Sequence, residues 1–186
     1  DDGRNPVTAG SQPDFDDGSW DSGPAELGYG DGNEVTTLSF GPNSNAKYPT
    51  TYFRRTFNAA EVADFSRLNI GLRREDGAVV YLNGIEVARS GMPAGVISYL
   101  TTANSVAGGA DETTFFNLEV SADALVEGEN TLAVEIHQVR GSSSDISFDL
   151  RLDGTKSSTE NPLMLSSAGA AVVRARVRNG NEWSPL

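Results

Sequence analysis

One histidine, a dense run of aspartates and a scatter of loop aromatics are the residues of this 186-residue chain whose chemistry reaches beyond packing. His137 and Glu135 stand two apart in a strand-like run, which puts both side chains on one face. An imidazole there could act as a general base, as a hydrogen-bonding group for a sugar, or as an ordinary surface residue. A Ser–His–Asp set can be assembled from Ser142, Ser143, Ser144, His137 and Asp145, yet no nucleophile-elbow motif accompanies it. Asp14, Asp16, Asp17 and Asp21, with Asp31 beyond them, place carboxylates in a glycine-rich stretch. Calcium takes about six to eight oxygen ligands of this kind, but the spacing is not that of an EF-hand loop, because Gly18 and its successors supply no later ligands. Solvated turn residues are the alternative. Trp20, Tyr29, Tyr48 and Tyr99 are loop aromatics, and an aromatic face can stack on the C–H face of a pyranose. Trp20 and Tyr29 could equally plug the end of a core. Asp76 and Asp145 read as turn formers. No pair of carboxylates is singled out for glycoside cleavage, which depends on their separation in space.

The elements that must position these groups are strands. "DGAVVYLNGIEVARS", Asp76 to Ser90, reads as turn, strand, tight turn, strand, and Asn83-Gly84 is the pair best suited to a two-residue hairpin turn. "LVEGENTLAVEIHQ" and "SSDISFDLRL" alternate apolar and polar positions, as do "TYFRRTF" and "RLNIGLR". In "TYFRRTF", Tyr52 and Arg54 share one face and Phe53 and Phe57 the other. Val35 to Phe40 and Thr113 to Val120 complete the set, with one short helical turn expected in Ala59 to Phe65. Gly91 to Asp111 is a long loop, of the kind that is functional or pinned by its own side chains. Eight or so strands without a convincing helix predict an all-β fold, an antiparallel two-sheet jelly-roll sandwich. "DGTKSSTENP", from Asp153, reads as a linker, and the tail beyond it as a short C-terminal β extension. The expected division is therefore 1–154 for the sandwich and 155–186 for a linker plus partial β segment.

Composition narrows the partners. A net charge of −12 argues against nucleic acid and against anionic lipid surfaces, both of which call for clustered cations. The charge is uneven: residues 1–34 carry nine acids and one base. Arg174, Arg176 and Arg178 form a stripe that suits either an anionic polysaccharide or a solvated edge strand. With no cysteine there is neither a disulfide nor a thiolate metal site. No apolar run is long enough to cross a bilayer, and no signal peptide is visible. A start at Asp1 without methionine is the expectation for a mature or excised piece.

At "DGAVVYLNGIEVARS" and "LVEGENTLAVEIHQ" the chain resembles a galactose-binding-like β-sandwich, and "VYLNGIEV" with the later "EGEN" is similar to the sugar-binding, jelly-roll domain of bacterial β-galactosidases. "FDDGSWDSGPAELGYG" and "YFRRTF" are similar to the start of such modules in multidomain surface proteins. "VVRARVRNGNEWSPL" resembles the closing strands of the immunoglobulin-like domain at the end of chitobiase-type enzymes. The resemblance covers roughly residues 14–152 and rests on turn and core residues, which specify a fold more than a ligand. It implies a non-catalytic carbohydrate-binding or accessory module of a secreted or cell-surface protein, with one structural calcium. The expected glycan contacts are Trp20, Tyr48, Tyr99 and Arg140, and the expected metal ligands are Asp14, Asp16, Asp17 and Asp21. A second reading belongs to another class: a structural or adhesive module that self-associates by adding a strand of its tail to a neighbour's sheet.

Overall fold

The structure, a computed structural model, describes residues 10–156 and, for the backbone alone, the strand segments 172–175, 178–179 and 182–183. Ten strands build two sheets. Sheet A contains β1 (Leu27–Tyr29), β2 (Thr36–Thr37), β4 (Phe65–Arg74), β7 (Phe116–Ser121) and β9 (Ile146–Lys156) in the order β2-β1-β9-β4-β7, with β10 (Val172–Ala175) also paired to β9. Sheet B contains β3 (Thr50–Ala59), β5 (Gly77–Leu82), β6 (Ile85–Ser90) and β8 (Gly128–His137) in the order β3-β8-β5-β6. A two-stranded pair, β11 (Arg178–Asn179) and β12 (Glu182–Trp183), stands apart from both. The all-β, two-sheet expectation holds. Pairing is antiparallel throughout except between β1 and β2, which run parallel.

Alternation decides which residues meet between the sheets. Leu132, Val134 and Ile136 of β8, with Ala78, Val80 and Leu82 of β5, face Leu68, Ile70 and Leu72 of β4 and Ile146, Phe148 and Leu152 of β9 in one core. Phe53 crosses from sheet B to stack on Phe148, their ring centroids 4.3 Å apart. Each such side chain, taken fully out of water, contributes roughly 1.5–3 kcal/mol before entropy is counted. The β5–β6 hairpin turns where its sequence asks it to. Asn83 and Gly84 both take positive φ, 52° and 80°, as a mirror-image two-residue turn requires. Asn83 also earns its place by its side chain, whose Nδ2 donates to the Ala124 carbonyl and to Asn130 Oδ1.

Two expectations shift. Of the predicted 35–40 strand, only Thr36–Thr37 form a strand, with Val35 and Leu38 donating backbone hydrogen bonds to the Glu26 and Gly28 carbonyls on either side. The supposed linker at Asp153–Lys156 is the end of β9, paired with β4 from Leu152 against Ile70 to Lys156 against Phe65, with a register shift between Phe65 and Arg67. Its polar composition reads as a linker because the strand runs at the margin of the core, where only alternate residues are covered. The short helical turn in 59–65 is a 3-10 turn at Val62–Asp64. No helix among the described residues is long and apolar enough to cross a membrane. Most of the 155–186 segment, including the Arg174, Arg176 and Arg178 side chains, lies outside the described residues.

Candidate functional site

The outer face of sheet B should be open to water in a plain sandwich; here two loops cover most of it. Register sets out its rows: Thr50, His137 and Gly77 in the first; Tyr52, Glu135 and Val79 in the second; Arg54, Ala133 and Tyr81 in the third. Over the first two rows, Met92, Ile97 and Ala103 of the long loop pack on Val79 as a small second core, with Tyr81 and Val139 at its margin. Over the third, residues 10–20 fold across Arg54. Its Nε donates to Asp17 Oδ2 at 2.9 Å, and its remaining nitrogens reach the carbonyls of Gly10, Gln12 and Phe15. The guanidinium is thereby almost fully buried and ties an acidic loop to the sheet.

Between the two loops lies a shallow depression lined by Gly10, Ser11, Trp20, Tyr52, Tyr81 and Glu135. Trp20 packs edge-on against Phe15, with centroids 5.6 Å apart, and keeps part of its indole exposed. Tyr52 stacks on Tyr99 at 6.5 Å and an interplanar angle of 17°. Tyr48 lies near enough to Tyr99 for its charge to raise the Tyr99 hydroxyl, after burial has done so. The aromatics therefore form a strip along the rim, from Trp20 through Tyr52 to Tyr99.

The polar floor beneath is closed. His137 is fully buried. Its Nδ1 lies 2.7 Å from the Thr101 carbonyl oxygen, an acceptor only, so this nitrogen carries a proton. Thr50 Oγ1, 2.9 Å from the same nitrogen, donates its own proton to the Tyr99 carbonyl at 2.6 Å. That leaves Nε2 facing Glu135 Oε2 at 3.0 Å, within hydrogen-bond distance. Burial, followed by the charge of Glu135, pushes the Tyr52 and Tyr81 hydroxyls well above the usual phenol range, and Tyr81 is also hydrogen-bonded to that carboxyl. This pair orients the long loop and the tyrosines. Ser142, Ser143 and Ser144 make no bond to His137, and Asp145 belongs to a different cluster, so no Ser–His–Asp array exists here.

The sequence-level site residues fare differently. Trp20 and Tyr99 are brought together through Tyr52, while the Tyr48 ring lies against Gly41. Arg140 stands exposed on the loop after β8, with its carbonyl bonded to the Ser143 amide. Tyr29 is a buried core residue whose hydroxyl accepts from Gln138 Nε2 at 2.6 Å, and burial raises its pKa to about 12. The four aspartates Asp14, Asp16, Asp17 and Asp21 do not converge. Asp17 is held by Arg54, Asp16 accepts the Gly18 amide in a local turn, and Asp14 and Asp21 are exposed. Among the described residues, the acidic group that does converge is Asp31, Glu75 and Asp145, with one oxygen of each within 4.8 Å of the others. Tyr52, Tyr81 and Glu135 were missed as contacts. The available signal was alternation: each occupies an outward position of a strand whose other face is apolar.

No family model matches the chain, and no curated protein matches it. Several solved structures are similar in part. A β-glucuronidase 2 of Bacteroides uniformis, covalently bound to cyclophellitol-6-carboxylate aziridine, is 16% identical over 80% of this chain and 16% of its own, with a TM-score of 0.41. An α-L-rhamnosidase of Streptomyces avermitilis complexed with L-rhamnose is 21% identical over 64% of this chain and 10% of its own, also at 0.41. A β-glucuronidase of Bifidobacterium dentium is 22% identical over 50% of this chain and 12% of its own, at 0.34. All three are glycoside hydrolases, and this chain spans between a tenth and a sixth of their lengths. Likenesses of this size establish neither a family nor an activity for it.

Proposed function

We propose that the chain is a non-catalytic carbohydrate-binding module that takes a glycan along the aromatic strip on the rim of sheet B. The observation that carries this reading is the convergence of Trp20, Tyr52 and Tyr81 around one depression, extended by the Tyr52–Tyr99 stack. Aromatic rings offer an apolar face to sugar C–H groups, while indole N–H and phenol O–H groups bond sugar hydroxyls at the same surface. A shallow strip suits rings laid face-on along a chain better than a single sugar swallowed whole. The non-catalytic part is supported by the state of Glu135. This carboxyl is engaged by His137 and Tyr81, whereas glycosidic cleavage calls for a pair of carboxyl groups flanking an open bond. The setting, a secreted or cell-surface multidomain protein, follows the sequence resemblance.

Retention in polysaccharide-containing native gels tests the reading. One or more neutral polysaccharides should retard the wild type. Trp20→Ala and Tyr99→Ala should abolish or weaken retardation about tenfold, with melting temperature held within a few degrees. Equal retention by both variants, or no retention on any glycan, would remove the strip from consideration. Self-association through the tail has less support, because the β10 backbone pairs with β9 of its own chain and β11 with β12. Donating β10 to a neighbour would first require that pairing to open.

A further inference from the structure

Beyond the first row of sheet B, where β4 turns into β5, three carboxyl groups come together with no cation paired to them among the described residues. Asp31 follows β1, Glu75 closes β4, and Asp145 precedes β9, so three separate connections deliver them to one point. The approach is built in. Gly30 takes a φ of +111°, and a Cβ there would sit 2.7 Å from the Asp145 Cβ and 2.8 Å from the Ser144 carbonyl oxygen. Only a glycine lets the 30–34 loop lie this close to Asp145. Glu34 then fixes the loop by accepting the amides of Asp31 and Gly32 at 2.8 and 2.9 Å.

Electrostatically the cluster is incomplete. Glu75 is 1% exposed, and its Oε2 is buried without a hydrogen-bond partner. Among the described residues, none of the three forms an ion pair with Lys, Arg or His. The nearby cations are committed elsewhere: Lys47 Nζ donates to the Ser144 carbonyl, Arg74 to the Asp76 carbonyl, and Arg73 to Glu26. Asp76 itself is satisfied, with Oδ1 accepting from Ala107 and Oδ2 from Val139. Apart from the hydrogen bond it shares with the Asp145 carboxyl, Glu75 has neither a cation nor a donor among the described residues, and a cation bound between the two would displace that shared proton and satisfy the buried Oε2.

We infer that Asp31, Glu75 and Asp145 form a binding site for a hard divalent cation, with calcium the best match. The donor set is oxygen alone, which disfavours zinc and copper. The half-open geometry, with Glu75 buried and Asp31 exposed, leaves room for waters and for the irregular coordination that calcium accepts and magnesium resists. Such an ion would clamp the connections after β1, after β4 and before β9. It lies apart from the 14–21 aspartates and does not depend on the glycan reading.

Calcium chloride, magnesium chloride and chelator, followed by melting temperature and isothermal titration, test it. Calcium should raise the melting temperature of the wild type, with magnesium doing so more weakly. Asp31→Asn, an exposed change that leaves the core untouched, should weaken calcium binding at least tenfold, and Glu75→Gln should abolish the shift while circular dichroism shows the sheet intact. Asp14→Asn/Asp21→Asn should keep the full shift. No response of the wild type to calcium, or a response that survives Asp31→Asn and Glu75→Gln, would overturn the site.

Discussion

Two acidic regions of this molecule meet opposite fates. In the loop over sheet B, Asp17 is caught by a buried guanidinium, and its neighbours remain in water or in local turns. Where β4 turns into β5, three carboxyls from distant connections crowd together, and one of them is almost wholly out of solvent. The crowded group is the perturbed one. Burial, followed by the charge of Asp145, pushes the Glu75 carboxyl from 4.5 up to about 9, and burial with Asp145 also raises Asp31. Density of charge along a chain therefore says little about electrostatic strain, because water screens exposed neighbours cheaply. Convergence under desolvation is what costs.

The largest expected effect would break the settled region. Arg54→Ala removes the bonds to Asp17 and to the carbonyls of Gly10, Gln12 and Phe15, so urea unfolding should show a loss of about 3 kcal/mol. Limited proteolysis should then cut within 10–20. Gly30→Ala acts on the crowded region, forcing a side chain into positive φ and against Asp145; it should cost about 2 kcal/mol and blunt any cation response.

The pH dependence sharpens the contrast. Because the folded Glu75 carboxyl holds its proton to about 9 and the unfolded one releases it near 4.5, its contribution to stability is full below 4.5. That contribution is lost as pH rises toward 9. In chelator, the wild type should lose at least about 1.4 kcal/mol across this window, the worth of one pKa unit. Glu75→Gln should lose much less, and a drop of equal size in that variant would place the effect elsewhere. The smallest change is expected from Asp14→Asn and Asp21→Asn, exposed residues whose removal should shift stability by less than about 0.5 kcal/mol.

The strand plan was readable because burial of one face writes itself into every second residue, as in Leu132, Val134 and Ile136 or Leu68, Ile70 and Leu72. The hairpin was readable because Asn83-Gly84 is local chemistry. His137 was not. Its outward position is visible from alternation, but its burial depends on a loop some 36 residues away, whose Thr101 carbonyl accepts a hydrogen bond from its Nδ1. Asp153–Lys156 passed for linker because its pairing with β4 lies more than eighty residues upstream.

By itself, then, the sequence determined an all-β chain of alternating strands, a tight hairpin, an acidic surface and a handful of loop aromatics, since periodicity and turn preference are properties of neighbouring residues. Tertiary structure alone decided that Trp20, Tyr52, Tyr81 and Tyr99 share one rim, that Asp17 is neutralised by Arg54, and that Asp31, Glu75 and Asp145 meet. Those outcomes depend on which loops cover which face and on distances across the sandwich, and desolvation and Coulomb energy follow distance in space rather than separation along the chain.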